Sequence, residues 1–259
     1  MKKRVVSAIL MILIFVLSII ISSKIFAILM LICGNMCLKE LIDIKYKNED
    51  IDFVKFVCYL SISILILNGI FFKFNTLFTL IFPILSIITP IIFYNDNKKY
   101  NMEDSLYLIG ITLFLGIAFN IIVYLRQIDI ALCIYIFLVA CLTDTYAYIG
   151  GSLIGKHKLT EISPKKTIEG SVIGSLMGTA ITSIYYITTI DASNIFRVVL
   201  MTFILTILSE FGDLVFSSIK RHFKIKDYSN LIPGHGGMLD RFDSIIYVAL
   251  SYVLVLTIM

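Results

Sequence analysis

Apolar stretches of about twenty residues follow one another along almost the whole chain, separated by short polar links. A stretch of that length matches the hydrocarbon core of a bilayer. In lipid the backbone must satisfy its own polar groups, and a continuous segment does so as a helix. Nine stretches fit, at roughly 5–22, 25–42, 52–71, 76–94, 105–125, 128–149, 168–190, 195–219 and 240–259. The expected fold is all-α: a polytopic membrane helix bundle of about nine transmembrane helices, forming a single membrane-embedded domain over 1–259. A soluble fold is excluded by supply, since 59% of the 259 residues are hydrophobic and only 15% charged. With no Trp, interfacial anchoring falls to the 14 Tyr and 19 Phe.

The cations orient these spans. With the N-terminus cytoplasmic, the inside segments hold 17 Lys and Arg, including Lys2, Lys3 and Arg4, Lys156 to Lys166, and Lys220 to Arg241. The outside links hold 4: Lys24, Lys73, Arg126 and Arg197. That asymmetry is a positive-inside signal. The first span resembles a signal peptide but has no small-residue cleavage site, so an uncleaved span is expected. The two longest polar connections, Gly150–Thr167 and Lys220–Leu239, then face the cytoplasm, where a water-soluble substrate would arrive.

Residues 1–125 carry generic spans, with 126–259 holding the chemistry. Pro83 and Pro90 suggest a kinked fourth span. The five Cys all lie in apolar runs and read as small buried hydrophobes; Cys33 and Cys37 lack the partners of a metal site. A net charge of +4 does not call for nucleic acid.

Charge inside the apolar runs needs a reason. Asp144 is either an interfacial cap or, as its place before the 150–167 loop favours, a functional group. Gly150 to His157 nearly spells a P-loop, but His157 replaces the required hydroxyl and no strand precedes it, so that reading is rejected. Ser163, Pro164, Lys165, Lys166 and Thr167 form a basic turn before a helix N-terminus, a setting suited to phosphate. Gly170, Gly174 and Gly178 recur every four residues and are expected to pack one helix closely on another.

In the eighth span Glu210 and Asp213 are buried by sequence, and Asp213, Ser217 and Lys220 share a helical face. The ninth span opens on Asp240 and Asp243, also on one face. Carboxylates at a helix N-terminus favour the dipole, yet that leaves Asp213 unexplained. Oxygen-only donors suit a hard cation, so Asp213, Asp240 and Asp243 are candidate Mg²⁺ ligands. His235, flanked by Gly234, Gly236 and Gly237, reads as a general acid or as a structural residue, and the glycines would let backbone amides meet an anion.

Taken together, Ser218, Lys220, Arg221, Lys226, Asp227, Pro233, His235, Gly236, Gly237, Asp240, Arg241 and Asp243 resemble the signature of the phosphatidate cytidylyltransferases (CDP-diglyceride synthases). The segments around Asp144 and at Ser163–Thr167 resemble further motifs of that family. The resemblance implies a multi-pass enzyme, in a bacterial cytoplasmic membrane, that joins CTP to phosphatidic acid to give CDP-diacylglycerol and pyrophosphate. It implies Mg²⁺, with K⁺ as a second ion. On that basis Lys220, Arg221, Lys226, His235 and Asp243 are the catalytic candidates. Substrate binding falls to Asp144, Ser163, Lys165, Lys166, Thr167, Ser217, Ser218, Gly236, Gly237 and Arg241. A CTP-dependent lipid or polyprenol kinase and a secondary transporter are the alternatives. A homodimer is compatible with the sequence and not required by it.

Overall fold

A computed structural model describes residues 2–46, 51–94, 99–231 and 236–259, with the side chains of 2–10 left undescribed. Among the described residues there are nine α-helices and no β-strand. The helices are α1 (Lys2–Ile21), α2 (Ser23–Tyr46), α3 (Asp52–Leu67), α4 (Thr76–Ile88), α5 (Met102–Ile128), α6 (Ile130–Ile154), α7 (Ile168–Thr189), α8 (Ile195–His222) and α9 (Leu239–Ile258). Each expected span overlaps one of them. The short links supply their caps: Asn75, Asp129 and Asn194 accept from backbone amides in the first turns of α4, α6 and α8. Six helices, α2 and α5 to α9, are long and apolar enough to cross a membrane. The chain is a multi-pass membrane protein.

Two spans are shorter than hydropathy suggested. The stretch expected at 52–71 stops at Leu67, because Asn68 leaves helical geometry and Gly69 adopts φ +91°, a left-handed conformation suited to glycine. Asn68 then holds the turn, accepting from Phe74 N at 3.0 Å and donating to Phe74 O at 3.3 Å. The stretch expected at 76–94 keeps Pro83 inside α4 but tightens into a 3₁₀ turn at Thr89–Ile92, where Pro90 cannot continue the α-helical bonding. The apolar part Thr76–Ile92 is thus too short by itself to qualify as a span.

The chain divides into two compact units. The first comprises Met1–Gln127 and Asp227–Asp240. Several of its buried polar groups are answered from within the unit. Asn120 donates to Leu65 O at 2.8 Å and Asn68 O at 3.1 Å, satisfying carbonyls at the end of α3. The buried Arg126 guanidinium turns to Ile19 O, its Nε at 2.7 Å. Asp104 accepts from Lys45 Nζ and Tyr46 OH, both at 2.8 Å. Cys33, Cys37 and Cys58 are buried hydrophobes here, as is Cys133 in the second unit, whereas Cys141, expected to be buried, is exposed.

The second unit comprises Ile128–Lys226 and Arg241–Met259. Its centre is the contact of α6 with α7, and the glycines make it. A Cβ on Gly174 would lie 2.7 Å from Ala147 Cβ, and one on Gly178 2.7 Å from Thr143 Oγ1. The two backbones therefore touch along the face that the four-residue glycine spacing marked. Gly212 does the same for α8 against α9, where an added Cβ would meet Tyr247 Cβ at 2.5 Å. Tyr135 on α6 reaches Thr202 on α8 at 2.8 Å.

Candidate active site

Four elements of the second unit bring ionisable groups into one neighbourhood. Asp144 comes from α6, which runs on to Ile154, so this residue is more than two turns inside the helix rather than near its end. Its Oδ2 accepts from Ser244 Oγ of α9 at 3.0 Å. Asp144 is within electrostatic reach of Lys166, Asp213 and Glu210. Asp243, whose Oδ1 accepts from Ser244 N at 2.9 Å, is within reach of Asp213, Asp144 and Lys220.

The closest opposite charges are Lys166 and Asp213, with Nζ 2.6 Å from Oδ2 and side chains only 22% and 26% exposed. Asp213 Oδ1 also accepts from the buried Ser217 hydroxyl at 3.3 Å. Glu210, one turn before Asp213, points to α7, where Ser171 Oγ and Ser175 Oγ (3.3 Å) donate to it. The α7 serines are four apart and so share a face, to which α8 presents Glu210.

The basic turn is folded by its own backbone. Lys166 N donates to Ser163 O at 3.0 Å and Leu159 N to Lys166 O at 2.9 Å. Thr167 is the N-cap of α7 and accepts from Gly170 N at 3.1 Å, so its hydroxyl already serves the helix. Ser163 is half-buried and Lys165 exposed. The rejected P-loop is also spoken for: the amides of Lys156 and His157 donate to Glu169 Oε2 at 3.1 and 3.2 Å.

At the end of α8, Ile225 N bonds Lys220 O at 2.9 Å and Lys224 N bonds Arg221 O at 3.0 Å, with Lys224 at φ +56°. This is a Schellman closure with lysine at a position that glycine usually holds. The Arg221 guanidinium reaches Ile162 O at 3.4 Å and Ile225 O at 3.3 Å, so it joins this end to the basic loop. Ser218, Lys226 and Arg241 are exposed.

In the first unit, Asp240 Oδ2 accepts from Tyr228 N at 3.0 Å and Gly237 N at 2.9 Å. Gly236, at φ +84°, lies so near that a Cβ there would come 2.9 Å from this oxygen. His235, with Pro233 and Gly234, lies outside the described residues. The residue that sequence reading passed over is Glu40 of α2. It is 5% exposed and accepts from Ser229 Oγ at 2.6 Å and from Met238 N and Leu239 N at 2.8 Å.

Among the described residues, no group of three or more His, Cys, Asp or Glu is placed to hold a metal ion. Mg²⁺ does not need one, because it commonly binds through one or two carboxylates plus substrate phosphates and water. The donor set fits that mode: Asp144, Glu210, Asp213 and Asp243 outnumber the ammoniums Lys166 and Lys220 in their neighbourhood.

These features define an α-helical integral membrane protein with a cluster of carboxylates from its helices and ammoniums from a helix end and a loop. The chain belongs to the cytidylyltransferase family, whose model matches residues 2–259. Its relatives include phosphatidate cytidylyltransferases of Staphylococcus haemolyticus (43% identical over 155 residues), Staphylococcus aureus strain COL (39% over 155) and Staphylococcus epidermidis strain ATCC 12228 (38% over 154). In each case the aligned stretch covers 59% of this chain and 59% of the relative.

Proposed function

We propose that the protein transfers the cytidylyl group of CTP to phosphatidic acid, giving CDP-diacylglycerol and pyrophosphate. The observation that carries this reading is the meeting of Asp144, Lys166, Asp213 and Asp243 from four elements, in a chain of the cytidylyltransferase family. The relatives named phosphatidate cytidylyltransferase support the choice of acceptor.

In this reaction a phosphatidate oxygen attacks the α-phosphorus of CTP, and the bond from that phosphorus to the bridging oxygen of the β-phosphate breaks. The attacking oxygen is already an anion, so no general base is required. What must be overcome is the approach of two polyanions and the charge left on pyrophosphate, which calls for positioning and positive charge. Lys220, Arg221 and Lys226 supply charge from the end of α8 and the segment after it, and Lys165 and Lys166 from the basic turn. Ser163, Thr167, Ser217, Ser218, Gly236, Gly237 and Arg241 are the remaining substrate contacts in this proposal, with His235 as a proton donor or hydrogen-bonding group. Asp213 and Asp243 would hold Mg²⁺, which supplies charge neutralisation at the phosphates; Asp240 of α9 is kept as a ligand, and K⁺ as a second ion.

The same proposal takes nine spans with the N-terminus and site on the cytoplasmic side of a bacterial cytoplasmic membrane, a single embedded domain, and a homodimer as the assembly. Acyl chains would stay in lipid while CTP arrives from water.

Purified protein given radiolabelled CTP and phosphatidic acid, with and without Mg²⁺, tests the reading. Labelled CDP-diacylglycerol and pyrophosphate are expected with Mg²⁺ and neither after chelation. Asp213→Asn and Asp243→Asn should each lower turnover by about 10²–10³ while leaving membrane insertion intact. Release of CDP with phosphorylation of a lipid would instead mark a kinase and overturn the proposal.

A further inference from the structure

Glu40 is a carboxylate in an apolar helix of the N-terminal half, far in sequence from every candidate residue. Its three hydrogen-bond donors nevertheless all belong to the Tyr228–Leu239 stretch: Ser229 Oγ and Met238 N on Oε1, and Leu239 N on Oε2. Leu239 opens α9, so its amide is one of those a helix leaves without an internal partner, and a negative charge there is favoured by the helix dipole. The approach is close enough that a Cβ on Gly237 would lie 2.6 and 2.7 Å from the two Glu40 oxygens. Only glycine gives the carboxylate that room.

Asp240 grips the same stretch from the inside, through Tyr228 N and Gly237 N. The two carboxylates thus hold both ends of the segment, Tyr228 and Ser229 at one and Gly237 to Leu239 at the other. A helix needing only a cap could take one from a neighbouring Ser or Asp at little cost. A buried carboxylate brought from another helix does more, because it also fixes where the segment lies on α2. Gly236 and Gly237 of the family signature lie in this segment, and Asp240 and Asp243 follow within the first turns of α9.

We propose that Glu40 is a positioning residue for cytidylyl transfer, holding Ser229 to Met238 and Leu239 so that Gly237 and the opening turn of α9 are set before substrate binds. This inference rests on the proposed activity. Two measurements on full-length purified protein keep their failures apart. Hydrogen exchange should show the Met238 and Leu239 amides losing protection at least tenfold in Glu40→Gln, whose amide group turns a donor toward one of those donors, while α6 and α7 are unchanged. In the CTP and phosphatidate assay, kcat per folded molecule should fall at least tenfold with KM for phosphatidate within about threefold, a split that lost stability would not produce. Glu40→Asp keeps the charge, withdraws it by one methylene, and should fall between.

Should Glu40→Gln fail to fold, Ser229→Ala removes one donor without touching α2 and should lower kcat severalfold. Wild-type kcat in the folded fraction of either variant, or unchanged protection at Met238 and Leu239 in Glu40→Gln, would overturn the assignment. An inactive wild type would overturn cytidylyl transfer instead, and hydrogen exchange would still decide whether Glu40 forms the clamp.

Discussion

Removing the charge of Asp213 should destabilise the protein, and removing Lys166 as well should restore much of the loss. At 2.6 Å the two charges attract by about 6 kcal/mol for an effective dielectric near 20. Desolvation offsets most of this, and stripping one partner from a fully buried pair costs about 3–5 kcal/mol because the other charge is left uncompensated. These side chains are 22% and 26% exposed, so water softens the penalty and Asp213→Asn should cost about 2–3 kcal/mol. Lys166→Gln should cost less, about 1–2 kcal/mol, since Asp213 keeps the Ser217 hydroxyl. In the double variant neither partner is left facing the other's absence, although Asp144 and Glu210 still lose Lys166, and a coupling of about 2 kcal/mol is expected. Equilibrium unfolding of the four proteins in mixed detergent micelles measures this cycle. Additivity within about 0.5 kcal/mol would refute the reasoning, because it would mean the two charges do not compensate one another in the folded state.

Gly174→Ala should destabilise by about 1–3 kcal/mol, since its methyl group would meet Ala147 Cβ at 2.7 Å and Thr143 O at 2.8 Å. Gly110→Ala, on α5 with nothing within 4 Å, is its control and should be neutral or slightly stabilising by the same unfolding assay. Lys224→Gly should raise stability by about 0.5–1 kcal/mol, because it relieves a left-handed residue at the end of α8; an unchanged or lower midpoint would count against strain at φ +56°.

The positions of the nine described helices were legible in the sequence because each falls on a long apolar run, six of them long enough to cross a membrane. Their ends were less so. Ile70 and Phe71 are as apolar as any helical residue, and hydropathy counted them into α3, although Asn68 and Gly69 already carried a turn signal. The glycine face of α7 was readable because a period of four residues has one structural meaning on a helix. Asp213 stood out as charge in an apolar run, but its partner could not be read off, since Lys166 comes from a separate loop. Thr167 and Asp240 matched motifs for substrate and metal, while the structure shows hydrogen bonds to backbone amides that motif matching cannot anticipate. Glu40 was missed for a plainer reason: its partners are 189 to 199 residues away, and no local pattern records such a contact.

That separation sets an order of events during synthesis. The ribosome makes α2 before α9, so Glu40 enters the bilayer before Ser229, Met238 and Leu239 exist. With 189 residues between Glu40 and Ser229, elongation at about 5–20 residues per second leaves a wait of about 10–40 s. Through that interval the nascent chain must carry an unanswered carboxylate near the end of an apolar helix, a costly state in hydrocarbon. The lag should keep the first unit unfinished until most of the second has been made, complete only when the opening turn of α9 arrives.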